Sequence, residues 1–132
     1  MDNKFPKEFL WGAATSAYQV EGAATTHGKK LSQQDVINKD SYEKFGFATA
    51  EIASDEYHHY KEDVALMKEM GFNFYRFSIC WSRIIPNGDD EVNEEGVAFY
   101  NSLIDQLIEA GIEPMITLVH FDMPYHLVEK YN

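Results

Sequence analysis

The chain has 132 residues, 45% of them hydrophobic and 14% aromatic, enough apolar material for the core of one domain or of part of a larger one. Eleven basic against 22 acidic residues give a net charge of −11, which excludes a continuous cationic track along nucleic-acid phosphates and points to solubility rather than to a charged partner. The lone Cys80 cannot form an internal disulfide, the start Met1 to Pro6 lacks an apolar leader, and no apolar run approaches the ~20 residues of a membrane span, so a cytoplasmic protein away from membranes is expected.

In chain order, Phe9-Leu10-Trp11 followed by Gly12-Ala13-Ala14 predicts a short buried first strand whose small residues admit close neighbours. The polar stretch Glu21 to Asp40, with Gly22, Gly28 and Lys29-Lys30, has no sustained period and reads as a long loop. Tyr57, Tyr60, Val64, Met67 and Met70 recur at helical spacing, with Asp55 and Glu56 in the first turn and Gly71 as the stop. Phe72 to Ile79 then reads as a strand buried on both faces, closed by the turn Pro86-Asn87-Gly88.

The unit repeats. Asn93 is the expected N-cap of a helix whose apolar face runs through Val97, Tyr100, Leu103, Ile104, Leu107 and Ile108 to Gly111, and Ile112 to His120 is the third strand. Glu109-Ala110-Gly111-Ile112 repeats Glu69-Met70-Gly71-Phe72 at a distance of one α/β unit. Strands alternating with helices require a parallel sheet with right-handed crossovers. A (β/α)8 barrel needs eight such units, typically about 250 residues, so three strands with two to three helices make a partial barrel, residues 1–132 forming one undivided piece of a single domain. With strand two at one edge and strand three at the other, the exposed edges are expected to drive association.

Polar residues cluster after each strand: Tyr18-Gln19-Val20-Glu21, Ser78 to Arg83, and His120-Phe121-Asp122. In parallel α/β architectures that edge carries the active site. Arg76, inside an otherwise apolar strand, needs either a structural ion pair or the role of anchor to a catalytic carboxylate. Gln19 suits paired sugar hydroxyls and His120 can donate to one, although a loop hydrogen-bonder and a satisfied core histidine are the plain alternatives. Trp11, Trp81 and Phe121 could stack on sugar faces or simply pack. His120 with Asp122 lacks a third metal ligand at recognisable spacing, His58 and His59 point to different sides of a helix, and Cys80 has no activating neighbour in sequence, so neither a metal nor a nucleophilic thiol is expected.

The segment Phe5 to Gly22 resembles the N-terminal signature FPxxFLWGxATxxxQxEG of glycoside hydrolase family one. The blocks DVALMKEMGFNFYRFSICWSRIIPNG and NEEGVAFYNSLIDQLIEAGIEPMITL are similar to that family's second-strand block and its following helix and third strand, so the likeness spans essentially the whole chain. His120-Phe121-Asp122-Met123-Pro124-Tyr125-His126-Leu127-Val128 resembles the HFEMPxHLV of the branch acting on 6-phospho-β-glucosides, with Asp122 for its usual Glu, rather than the His-Trp-Asp-Leu-Pro of plain β-glucosidases; Gln34-Asp35 in place of Trp-Asp departs in the same direction.

The resemblance implies the N-terminal fragment of a retaining β-glycosidase that hydrolyses 6-phospho-β-D-glucosides without a cofactor. In it Gln19, His120 and Phe121 would bind the substrate and Arg76 would support the nucleophile. The acid/base Glu of an Asn-Glu-Pro motif and the nucleophile Glu of a Glu-Asn-Gly motif do not occur in this sequence, which implies that the chain alone is inactive. Plain β-glucosidase or β-galactosidase activity and a non-catalytic module that binds sugar or another chain are the alternatives; a complete small doubly wound domain fits the signature poorly.

Overall fold

The computed structural model describes residues 5–131; Met1 to Lys4, part of the stretch read as lacking a leader, and Asn132 lie outside them. The elements run β1 (Gly12–Ala14), α1 (Ala17–Val20), α2 (Gln33–Phe45), α3 (Glu56–Glu69), β2 (Phe74–Ser78), α4 (Trp81–Ile84), α5 (Glu94–Ala110), β3 (Glu113–Thr117) and α6 (Tyr125–Tyr131). The three strands form one parallel sheet in the order β1-β2-β3, with Gly12 paired to Phe74 and Phe74 to Glu113. The edges are therefore β1 and β3, correcting the expectation that strand two lies at one of them. No helix among the described residues is long and apolar enough to cross a membrane.

The two long crossovers end alike, and the repeated Gly explains why. Gly71 (φ 82°) and Gly111 (φ 78°) adopt the left-handed conformation, letting Phe72 N–H reach Met67 O at 3.0 Å and Ile112 N–H reach Leu107 O at 2.9 Å. This closure satisfies the last helical carbonyls and aims the chain straight into the next strand. Tyr75 and Phe77 of β2 face α3 and α5, where they join Tyr57, Val64, Phe99, Tyr100, Leu103, Leu107 and Ile112 in the core. Met70 and Ile108, expected on the apolar helix faces, are exposed.

Three further expectations change. β1 is exposed along its length, and β2 is buried mainly on the helix side, with Phe74 and Arg76 half-exposed; one face of the sheet has no covering layer among the described residues. On β3 and beyond, Met115, Ile116 and Leu118 are exposed, Leu118 at 77%. Asp55 is not in the first turn of α3 but precedes it at the N-cap position, in a left-handed conformation (φ 55°) and without a side-chain capping hydrogen bond.

The long loop stops at Ser32, where a capping box starts α2: Ser32 Oγ accepts from Asp35 N–H at 3.3 Å, and the Asp35 carboxylate accepts from Ser32 N–H at 2.8 Å. α2 buries none of its residues. Its start is held instead by the buried Lys29–Asp35 ion pair at 2.9 Å.

Candidate active site

The C-terminal ends of the strands are stitched together by the turns that follow them. Thr15 N–H donates to Arg76 O (3.0 Å), Ala17 N–H to Ser78 Oγ (2.8 Å) and Ile79 N–H to Thr117 O (2.9 Å). These bonds fix α1, α4 and the segment after β3 along one rim.

Beneath the rim lies a buried polar cluster. Arg83, at 0% exposure, donates from Nε to Glu21 at 2.9 Å and from Nη2 to Gly22 O at 3.2 Å, and its guanidinium sits 4.2 Å from the Tyr57 ring centroid. Tyr100 donates to the other Glu21 oxygen and accepts from Cys80 N–H at 2.7 Å. Burial pushes the Glu21 carboxyl above its usual range, while Arg83 and Tyr100 pull it back. Burial first, then the Glu21 charge, drives the Cys80 thiol up to about 12, consistent with an inert buried residue. Nearby, Glu56 accepts from Tyr75 at 2.9 Å, and desolvation raises its carboxyl to about 7.

Arg76 lies on the opposite face of β2. Its Nε donates to Thr117 Oγ1 at 2.6 Å, and among the described residues no carboxylate lies within ion-pairing distance. The structural ion pair expected as one reading of Arg76 belongs instead to Arg83, which turns under α3 and α5. Gln33, Arg76, Thr117, His120 and Phe121 are among the residues lining one open cavity of about 500 Å³. Phe121 is 76% exposed and left-handed (φ 65°), its ring 5.4 Å from that of His120.

Gln19 is exposed on α1, accepts from Ser16 Oγ at 2.9 Å, and does not line this cavity. Trp11 stacks edge-on against Phe5 at 4.9 Å, and Trp81 lies half-buried on α4. His58 and His59, read as pointing apart, both reach Asp55, at 2.6 and 3.7 Å. A larger opening of about 640 Å³ lies between α2 and the 23–26 and 49–51 segments, walled by Asp35, Asp40, Glu43 and Glu51. It takes no group from β2 or β3, so the candidate site is the smaller cavity at the strand ends.

Sequence reasoning missed the Glu21–Arg83–Tyr100 cluster and the burial of Asp122. The available signal was Arg83 within Cys80-Trp81-Ser82-Arg83-Ile84-Ile85, a cation in an otherwise largely apolar run.

The chain is 53% identical over 128 residues to the aryl-phospho-β-D-glucosidase BglC of Bacillus subtilis, covering 97% of this chain and 27% of that protein. It is 51% identical over 130 residues to β-glucosidase 10 of Arabidopsis thaliana, covering 98% and 25%. A crystal structure of a rice β-glucosidase superposes with a TM-score of 0.92 at 45% identity, covering 96% of this chain and 27% of that one, and the family 1 β-glucosidase of Thermotoga maritima with 0.89 at 41%, covering 96% and 29%. The chain thus spans about a quarter of the length of the relatives it matches, and its three parallel strands are an arc of their (β/α)8 barrel. With the profile of Glycosyl hydrolase family 1 matching residues 1–132, the chain belongs to that family.

Proposed function

We propose that this chain is the N-terminal, sugar-binding part of a retaining β-glycosidase that acts on 6-phospho-β-D-glucosides. The observation that carries the reading is the convergence of Arg76, His120 and Phe121 on one cavity at the C-terminal edge of the parallel sheet. That edge is where barrel enzymes assemble their chemistry.

The division of labour follows from the side chains. His120 offers a ring nitrogen to a sugar hydroxyl and Phe121 an apolar face to the ring's C–H groups. Gln19, one strand away, adds an amide that can both donate and accept. Arg76 uses Nε on Thr117, and its Nη nitrogens make no hydrogen bond among the described residues. A guanidinium so placed would keep an arriving carboxylate ionised, the state a nucleophile needs. Retaining hydrolysis requires two carboxyl groups about 5–5.5 Å apart, and no carboxylate lines this cavity among the described residues. The acid/base and the nucleophile are therefore assigned to sequence outside this chain.

The phosphorylated glycone is supported by the motif His120-Phe121-Asp122-Met123-Pro124, which resembles the HFEMP of the phospho branch rather than the His-Trp-Asp-Leu-Pro of plain β-glucosidases, and by Gln34-Asp35 in place of Trp-Asp. Two relatives point the same way by name, BglC and the 6-phospho-β-glucosidase of Clostridium longisporum, the latter 50% identical over 137 residues. The 51% identity to the Arabidopsis β-glucosidase favours the second reading, an unphosphorylated β-glucoside.

The test joins this chain to the remainder of the Bacillus relative and compares kcat/KM on p-nitrophenyl 6-phospho-β-D-glucoside and its unphosphorylated counterpart. The proposal expects preference for the phosphorylated substrate and a weaker preference in Phe121→Trp. Preference for the plain glucoside in the unmodified hybrid refutes it.

A further inference from the structure

Asp122 is buried at 0% exposure, yet only one of its oxygens is used. Oδ1 accepts from His120 N–H at 3.3 Å, and Oδ2 accepts from nothing among the described residues. A buried acceptor left without a donor is destabilising, the more so if it is charged. Its neighbours cannot supply one. Lys29 Nζ already donates to Ala24 O, Lys30 O and Asp35 Oδ2, and the Ser32 hydroxyl donates to Asp35.

Against this carboxylate lies a cavity of about 10 Å³ whose wall includes Asp122, Glu21, Lys29, Ser32, Asp35 and Cys80. That is about the space of a single water, and the lining is polar enough to offer it the two to four partners it needs. A cation is a poor match, because the Lys29 ammonium stands in the same wall and the other two carboxylates already have theirs, Arg83 for Glu21 and Lys29 for Asp35.

We propose that one water molecule occupies this cavity and donates to Asp122 Oδ2, making Asp122 the positioning residue for the turn that presents His120 and Phe121. The turn needs such a hold, because an aromatic residue in the left-handed region, as Phe121 is, stores backbone strain that its surroundings must hold in place. Its far side is tied to the 31–33 segment by Gln33 N–H to Met123 O at 2.8 Å and Tyr125 N–H to Leu31 O at 2.9 Å. The water closes the remaining gap between Asp122 and the same segment. Only the purpose of this device, orienting sugar-binding groups, rests on the proposed glycosidase reading; the water and the restraint on the turn do not.

Two measurements on the full chain test it. A crystal structure resolving ordered solvent is expected to show a density peak about 2.6–3.0 Å from Asp122 Oδ2 inside the cavity. No peak overturns the proposal, as does one with several oxygen contacts at the ~2.3–2.6 Å of a bound cation. In hydrogen exchange, Asp122→Asn keeps the acceptor for His120 N–H and can bond a reoriented water, so His120 protection should stay within about twofold of the parent. Asp122→Leu removes both and should speed His120 exchange about tenfold, with the β2 amides unchanged. Equal His120 exchange in the parent and the Leu variant refutes the role, and if that variant fails to fold, the crystal result decides. Failure of the hybrid enzyme to prefer phosphorylated substrate would leave both outcomes untouched.

Discussion

Neutralising Glu56 should stabilise the chain at neutral pH, and the size of the effect follows from where the carboxyl sits. Glu56 is the first residue of α3, buried at 5% exposure, with the Tyr75 hydroxyl its hydrogen-bond donor. Desolvation is the largest cause raising its pKa from 4.5 to about 7, the Tyr75 hydrogen bond lowers it, and the Glu21 and Asp63 charges raise it further. The folded chain therefore holds a proton that the unfolded chain releases. Below pH 4.5 both states are protonated and Glu56 costs nothing. Between 4.5 and about 7 stability falls as pH rises, and above 7 the loss is complete. At 1.36 kcal/mol per pH unit the interval amounts to about 3 kcal/mol. Glu56→Gln preserves the acceptor for Tyr75 without the charge. Urea unfolding followed by Trp11 and Trp81 fluorescence, at low concentration from pH 5 to 8, should show the variant gaining on the parent as pH rises, levelling off above pH 7. A stability difference that is flat with pH, or that grows toward acid, refutes the reasoning.

Arg83→Met leaves Glu21 buried with Tyr100 as its remaining partner and should lower unfolding stability by about 3–5 kcal/mol. Adding Glu21→Gln should restore roughly half of that in the same urea assay, because the uncompensated charge is then gone. Cys80, buried with its thiol pushed up to about 12, should resist a disulfide exchange reagent at pH 8 in the folded chain and react quickly once urea unfolds it. Sedimentation should reveal concentration-dependent association, since β1 and β3 are open edges and Met115, Ile116 and Leu118 are exposed. A monomer at all concentrations contradicts that expectation.

The legible parts of this fold were those whose apolar residues repeat with a period. α3 and α5 bury Tyr57, Val64, Phe99, Leu103 and Leu107 at helical spacing, and the glycines that stop them are required by backbone geometry alone. α2 was hidden because it buries nothing; its signal is the short-range exchange of hydrogen bonds between Ser32 and Asp35. The rim residues were legible as positions following strands, but their partners were not. Arg76 and Arg83 both sit in apolar runs; the alternation of β2 turns Arg76 to the open cavity, whereas Arg83 lies past the strand on the short α4 and meets Glu21 beneath the helices. Asp122 stood out as part of a motif, while neither its burial nor the left-handed Phe121 before it is announced by a local pattern.

The most direct test of the central claim is the hydrolysis rate of the 132-residue chain itself on chromogenic β-glucosides, with and without a 6-phosphate. No turnover above the uncatalysed rate is expected with either substrate, because no carboxyl group lines the cavity beside Arg76 and His120 among the described residues. Turnover by a preparation whose intact mass is that of these 132 residues would contradict it.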